Sequence, residues 1–434
     1  MTFDTSLSCA QMLDQQDPLR AFQEEFLFPK HNGEKTIYFC GNSLGLQAKG
    51  VKAAINQVLG EWEDQGVESW FKGERPWLKV QERMQGPLAK VVGALSEEVI
   101  VMNTLTVNIH LLLGSFYRPT ATRFKVLMEA GAFPSDQYAV AAQVSKLGFD
   151  PEEAIIEVQP RAGEELLHTE DILAAIQEAG ESLALVMLGG INYYTGQFYD
   201  LAAITAASHS VGAYAGYDLA HAAGNVPLAL HDWEVDFAVW CSYKYLNGGP
   251  GGPSGVFLHN RHGNDPNFPR LAGWWGYQEN GRFLMRKEFV PSKGAAGLQI
   301  STPQMLAFAP HWVSLEVVQK AGVQQMFEKS KRLTGYLEFL LQQLNARGAA
   351  LHIITPADPS ARGSQLSIYF ERDGKALFDC ITENGVICDW REDNLSLSGG
   401  GVIRVAPVPL YNSYQEVYAF IDLIRQYLQI ENFS

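Results

Sequence analysis

Short β-prone runs at residues 99–102, 124–129, 183–188, 213–217 and 235–240 alternate with stretches of helical apolar spacing, and no other feature narrows the fold so far. Repetition of this kind calls for right-handed crossovers and predicts an α/β chain with a doubly wound, mainly parallel sheet. The last run, ending Phe237-Ala238-Val239-Trp240, is apolar enough to bury both faces. It leads into Ser242-Tyr243-Lys244 and then the glycine-rich stretch 248–252. Lys244 is thus predicted at the sheet's carboxyl edge, where open α/β sheets hold ligands. The glycines let backbone approach a flat group or a phosphate. A desolvated lysine amine is a nucleophile, most often forming a Schiff base with a carbonyl. A single lysine on a turn is ordinarily a surface residue, so Lys244 gains its weight from the residues upstream.

Asp218 closes the run 213–217, about one crossover before Lys244. A pyridine ring held by a lysine needs an acid at its nitrogen, because the protonated ring is the electron sink. His221 follows three residues on, close enough to lie beside the same ring. Taken singly, Asp218 also reads as a cap or loop acid, and His221 as a core histidine. The run 99–102 opens into a helix, with Thr104 and Thr106 as N-cap candidates. A helix start after a strand binds phosphate, although an ordinary capped helix fits the segment equally. The run 124–129 leads to Phe133-Pro134-Ser135-Asp136, where Ser135 or Asp136 caps a predicted helix over 137–147. Phe133 can stack on a planar ring or act as a hydrophobic staple. The aromatic segments around Trp70 and around Trp274 and Trp275 either line a pocket or pack on the core. The turn at Asn42 is a ligand contact or simply a turn. Arg404, inside the strand 402–406, wants a carboxylate partner from substrate or protein.

The chain's 434 residues suit two domains. The predicted division is an N-terminal arm over 1–50, with a helical pattern at 10–28, a large domain over 51–310 and a small α+β domain over 311–434. The last begins within a long helical region, 306–345, and continues with strands at 351–354, 365–370, 386–389 and 402–406 and helices at 376–384 and 414–428. A net charge of −15 argues against nucleic acid and anionic membranes as partners. The acidic, polar first residues make no signal peptide, and no apolar run has the length of a bilayer span. The 5 cysteines are scattered, without CxxC or Cys/His spacing, so neither disulfides nor a metal site is expected, and a reducing cytoplasm fits.

The order of these features resembles the fold-type-I enzymes that depend on pyridoxal 5'-phosphate (PLP). The local words are more specific. Gly41-Asn42-Ser43-Leu44-Gly45-Leu46, Phe133-Pro134-Ser135-Asp136, Asp218-Leu219-Ala220-His221, Tyr243-Lys244-Tyr245-Leu246-Asn247, Gly273-Trp274-Trp275-Gly276 and the run from Arg404 to Ser413 resemble the kynureninases, and the likeness covers nearly the whole chain. It implies a homodimer with shared active sites, acting in the cytoplasm in tryptophan breakdown or NAD synthesis. The reaction implied is hydrolysis of a C–C bond in L-kynurenine, or its 3-hydroxy form, to anthranilate or 3-hydroxyanthranilate and L-alanine. By the same resemblance Lys244 would bond the cofactor's aldehyde, Asp218 would pair with the ring nitrogen with His221 beside it, and Phe133 would stack on the ring. Leu105, Thr106, Pro134, Ser135 and Asp136 would hold the cofactor, and Tyr243 would bond its phosphate and relay protons. Trp274 and Thr302 would reach the phosphate across the dimer. Arg404 would clamp the substrate's α-carboxylate, Trp70 and Trp275 would flank its aromatic ring, and Asn42 joins the substrate set. At Gly189 the family usually carries Ser or Thr, so contact there would be backbone only. At Trp70 some members carry histidine, and tryptophan leans the preference towards unsubstituted kynurenine.

Two other readings compete. A cysteine desulfurase or related lyase of the same fold would carry histidine where this chain has Tyr243. It would also need a mobile nucleophilic cysteine, whereas Cys380 in a predicted helix and Cys388 in a predicted strand look structural. A catalytically silent binding module is the other, and intact Lys244, Asp218 and Arg404 speak against it.

Overall fold

The computed structural model describes residues 3–370, 373–392 and 401–431. These fall into two compact units. Residues 51–190 and 199–316 form the larger, and the described residues among 1–50, 191–198 and 317–434 form the smaller.

The larger unit is built on a seven-stranded sheet: β1 (Val99–Met102), β2 (Lys125–Glu129), β3 (Ile155–Val158), β4 (Leu183–Gly189), β5 (Tyr214–Asp218), β6 (Phe237–Trp240) and β7 (Ser254–Leu258), in the spatial order β1-β7-β6-β5-β4-β2-β3. From β6 across to β3 the strands run parallel, and β7 pairs antiparallel with both β6 and β1. β4, β6 and β7 are buried along their whole length, and β5 is buried beyond its exposed first residue, Tyr214. Two strands had no counterpart in the sequence reading. β3 is a half-exposed edge, and β7 emerges directly from the Pro- and Gly-rich stretch. Antiparallel β7 makes residues 237–258 a hairpin-like unit whose connecting loop carries Lys244.

Several boundaries differ from the sequence expectation, each for a local reason. The helical pattern at 10–28 resolves into a helix Leu7–Gln15 and a 3-10 turn Arg20–Glu25. Pro18 steers Asp17 away from helical dihedrals and ends the first helix early. The region 306–345 is two helices, Met305–Ala321 and Val323–Asn345, separated at Gly322, whose φ is +80°. The helix expected over 137–147 begins at Pro134, a residue suited to a first helical position, so Ser135 and Asp136 lie in its first turn. Thr104 occupies an N-cap position without a side-chain capping bond. Cys388 lies between two short strands rather than inside one.

In the smaller unit the strands β8 (Leu351–Ile353), β9 (Leu366–Phe370), β10 (Asp389–Glu392) and β11 (Gly401–Val405) form an antiparallel sheet in the order β8-β9-β11-β10. Its apolar face joins one core with the helices Leu7–Gln15, Val323–Asn345 and Tyr414–Tyr427. Inside this unit Lys329 is buried against Asp17 at 2.7 Å.

One polar cluster anchors the sheet of the larger unit at the edge away from Lys244. Asp236, just ahead of β6 and almost fully buried, accepts from His209 Nε2 (2.9 Å), His262 Nε2 (2.7 Å), Arg261 Nη2 (2.6 Å) and the Ala215 N–H (2.7 Å). Burial opposes its charge, yet the bonds from His209, His262 and Arg261 hold its carboxyl well below the ordinary 3.8. A depressed folded-state pKa means the contribution is complete above the unfolded value and is lost as pH falls below about 4. Asp236→Asn is expected to cost about 3–5 kcal/mol in urea unfolding at pH 7, and to flatten the acid side of the stability curve.

Candidate active site

Strand ends of the larger unit bring most of the predicted cofactor residues together. Lys244 Nζ lies 2.9 Å from His221 Nε2 and 5.8 Å from the centre of the Phe133 ring. Phe133 is 42% exposed, so its ring is available to a flat ligand. Asp218, the last residue of β5, is buried, and its Oδ1 accepts the Ala220 N–H at 2.8 Å. Asp136 lies buried beside it and shares a hydrogen bond with its carboxylate. Two helix starts adjoin: Thr106 Oγ1, in the first turn of Leu105–Phe116, is 3.0 Å from Ser135 Oγ, in the first turn of Pro134–Lys146. Their N–H groups and dipoles make a ready anion cradle. Tyr243 is half-buried, and its phenol, next to the Cys241 thiol, is pushed up by burial.

A third acid, not singled out from the sequence, completes the group. Glu129 ends β2 and is fully buried, with both carboxylate oxygens accepting the Gly189 N–H at 3.1 and 3.2 Å. Gly189 in turn pairs with Asp218 across β4 and β5. The signal was present in the sequence, since an acid closing an apolar strand is the pattern that drew attention to Asp218. Burial pushes Glu129 up to about 7. Burial and the neighbouring Asp218 and Glu129 push Asp136 well above its ordinary range. Asp218 is raised by burial and held back by the Lys244 ammonium and the Ala220 N–H. Asp136 therefore keeps a proton and donates it to the Asp218 carboxylate.

This imbalance has a measurable consequence. A raised folded-state pKa contributes stability that is complete below the unfolded value, 4.5 for Glu129, and is lost as pH rises through about 7. The cofactor-free protein is expected to lose on the order of 3 kcal/mol through this group between pH 4.5 and 8. Urea midpoints across that range, compared with Glu129→Gln, check it, and a variant with an unchanged slope refutes it.

The aromatic residues form a separate cluster of the same unit. Trp275 is buried, with Trp70 at 5.3 Å, Trp274 at 5.6 Å and the Arg282 guanidinium over its ring at 4.6 Å. Trp70 also meets Trp77 at 5.4 Å. Trp274 is 45% exposed and donates its indole N–H to the Arg282 carbonyl, and Thr302 is exposed.

Arg404 and Asn42 belong to the smaller unit and are connected within it. Arg404, buried in β11, is ion-paired with Asp389 and donates to the Tyr193 carbonyl at 2.5 Å. Asn42 Nδ2 donates to Gln365 Oε1 at 2.8 Å, and Gln365 Nε2 donates to the same Tyr193 carbonyl at 3.0 Å. Asp389, Gln365 and Tyr193 carry no mark in the sequence, because only the fold brings them to Arg404 and Asn42.

Residues 326–424 match the family described as the kynureninase C-terminal domain. A kynureninase of Flavobacterium johnsoniae is 51% identical to the chain, covering 98% of it and 99% of the relative. The chain belongs to the kynureninase family. A kynureninase of Nematostella vectensis is 46% identical over 96% of this chain and 92% of that protein. Among solved structures, a cysteine desulfurase from Thermococcus onnurineus superposes with a TM-score of 0.73 at 15% identity, over 96% of this chain and 98% of that one. A C-DES mutant with glycine covalently linked to its PLP cofactor gives 0.72 at 17%, over 90% and 96%. These likenesses concern the fold alone, and confirm the predicted fold-type-I architecture. The desulfurase reading therefore has support from a shared fold only, while the kynureninase family is shared along the whole sequence.

Proposed function

We propose that the chain is a PLP-dependent hydrolase that cleaves the Cβ–Cγ bond of L-kynurenine, giving anthranilate and L-alanine. Full-length similarity to kynureninases carries this reading, and the residues present fit the cofactor. Glu129, Asp136 and Asp218 crowd buried acid around one lysine, an arrangement that a protonated pyridine nitrogen offsets. The paired helix starts at Thr106 and Ser135 suit a phosphate, and the exposed Phe133 ring suits a planar heterocycle. When bound, PLP supplies an electron sink for negative charge developing on the substrate.

The chain's own groups then divide the work. Lys244 would hold the cofactor's aldehyde and would carry the proton taken from the substrate's Cα and later returned. His221 holds the Lys244 amine by its hydrogen bond. Asp218 keeps the ring nitrogen protonated, and Asp136 orients the Asp218 carboxylate. Leu105, Thr106, Pro134 and Ser135 would hold the cofactor at the helix starts, Gly189 would offer it backbone contact only, and Tyr243 would bond its phosphate and relay protons. Arg404, fixed by Asp389 and the Tyr193 carbonyl, binds the α-carboxylate, with Asn42 braced through Gln365. Trp70 and Trp275 flank the aniline ring. Water adds to the ketone carbon Cγ, the Cβ–Cγ bond breaks with its electron pair going to Cβ, and protonation there completes alanine. Cγ leaves as the carboxyl group of anthranilate.

The working form is a homodimer in which Trp274 and Thr302 reach the phosphate of the partner subunit's site. An exposed apolar patch of Phe71, Trp274, Phe283, Leu284 and Met285 supports a self-association face, with Phe283 within 5.7 Å of both Phe71 and Trp274. No described helix is long and apolar enough to cross a membrane, and the cysteines, none of them disulfide-bonded, suit the cytoplasm.

The decisive assay follows anthranilate fluorescence from the purified, PLP-loaded protein with kynurenine and with its 3-hydroxy form. Equal amounts of anthranilate and alanine are expected, with kynurenine the better substrate because of Trp70. Sulfide from cysteine without anthranilate would replace this function with the desulfurase.

A further inference from the structure

At the edge of the larger unit's sheet opposite Lys244, three residues far apart in sequence converge. Glu98 immediately precedes β1, His259 immediately follows β7, and His231 lies in the segment leading to β6. The register brings Val99 opposite Phe257 and Leu258 opposite Phe237, the first residue of β6. The corner is thus a strand's length away from the lysine. Positions 98, 231 and 259 share no linear motif, which is why cysteine and histidine spacing gave no expectation of a metal.

Glu98 is fully buried and its carboxylate is fixed from two sides. Oε1 accepts the Asn260 N–H at 2.9 Å, and Oε2 accepts the Leu95 N–H at 3.0 Å. His231 Nδ1 stands 2.9 and 3.0 Å from the two oxygens. His259 Nδ1 accepts the Arg261 N–H at 3.2 Å, so in the neutral ring its proton resides on Nε2. The same Nδ1 lies 3.8 Å from Glu98 Oε1. Ligation through Nδ1 would exchange the Arg261 N–H for an ion, which would then lie against Glu98 Oε1.

We propose that Glu98, His231 and His259 bind a divalent transition-metal ion of the zinc class at a site separate from the catalytic one. One nitrogen of each ring and a Glu98 oxygen lie within 4.8 Å of one another. Ligands around tetrahedral zinc stand about 3.4 Å apart, and the separations of 2.9 and 3.8 Å bracket that value. The rings are stacked, with centres 5.0 Å apart and planes 12° from parallel, so one must turn to face the ion. His231, whose side chain is about a third exposed, is free to do so and leaves a coordination position open to water. Bound metal would tie together, at this corner, three segments distant in sequence.

The test uses PLP-loaded enzyme, stripped with a chelator and titrated with zinc chloride by calorimetry and equilibrium dialysis. One tight equivalent is expected, with a rise in the unfolding temperature. His231→Gln and His259→Gln should each lose that equivalent and that rise while anthranilate formation is unchanged. His231→Gln alters a partly exposed side chain, so the comparison stands even if His259→Gln folds poorly. No stoichiometric uptake by the wild type, or equal uptake by His231→Gln, would show an adventitious ion only and overturn the proposal.

Discussion

Lys244→Ala is expected to lower kynurenine turnover by about 10^3-fold or more, since one group loses both its covalent and its proton-transfer tasks. In the wild type, borohydride should fix the cofactor to the chain at Lys244, and peptide mapping should find it there. In the variant PLP should remain extractable after the same treatment. Retention of the label on another lysine would refute the role assigned to Lys244. A second effect follows from electrostatics. The Lys244 ammonium restrains the upward shift of buried Asp218, so its loss should raise the pH range over which Asp218 takes up a proton. Without cofactor, the variant should be less stable than the wild type above neutral pH and approach it in mild acid, because protonation removes the unpaired buried charge.

Asp218→Asn is the other large change. A neutral amide cannot hold the ring nitrogen protonated, so the electron sink weakens, and kcat is expected to fall by about 10^2–10^4-fold with a far smaller change in KM. The fold should survive, because asparagine retains an oxygen to accept the Ala220 N–H. The same substitution removes the charge that helps keep Asp136 protonated, so carboxyl infrared bands of the cofactor-free protein should change at Asp136 as well. Activity within about threefold of the wild type would eliminate Asp218 as the ring-nitrogen partner.

What could be read from the sequence was largely what one strand and its end disclose together. An acid or a lysine directly after an apolar run is out of place in a core, so Asp218 and Lys244 stood out, and Glu129 carried the same mark. The strands around them were legible because burial on both faces leaves unbroken apolar runs. β3, at the sheet's edge with Glu157 in its middle, lacks that pattern, and β7 begins Ser254-Gly255 after a run of turn formers. Relations between distant segments were not legible. Neither spacing nor composition indicates that Asp136 donates to Asp218, that Asp389 and Tyr193 hold Arg404, or that Glu98 meets His231 and His259. The glycine at 322 shows why helical periodicity alone overran: apolar spacing continues on both sides of a residue whose positive φ no helix accommodates.

The antiparallel pairing of β6 with β7 bears on what happens when PLP is lost. Trp240 and Gly255 are ladder partners, so the segment carrying Lys244 is clasped at its two ends by adjacent strands. Such a closure needs no ligand and arises from contacts near in sequence. Amide exchange in 237–258 should stay slow in the apoprotein, and added PLP should restore activity without a slow refolding phase.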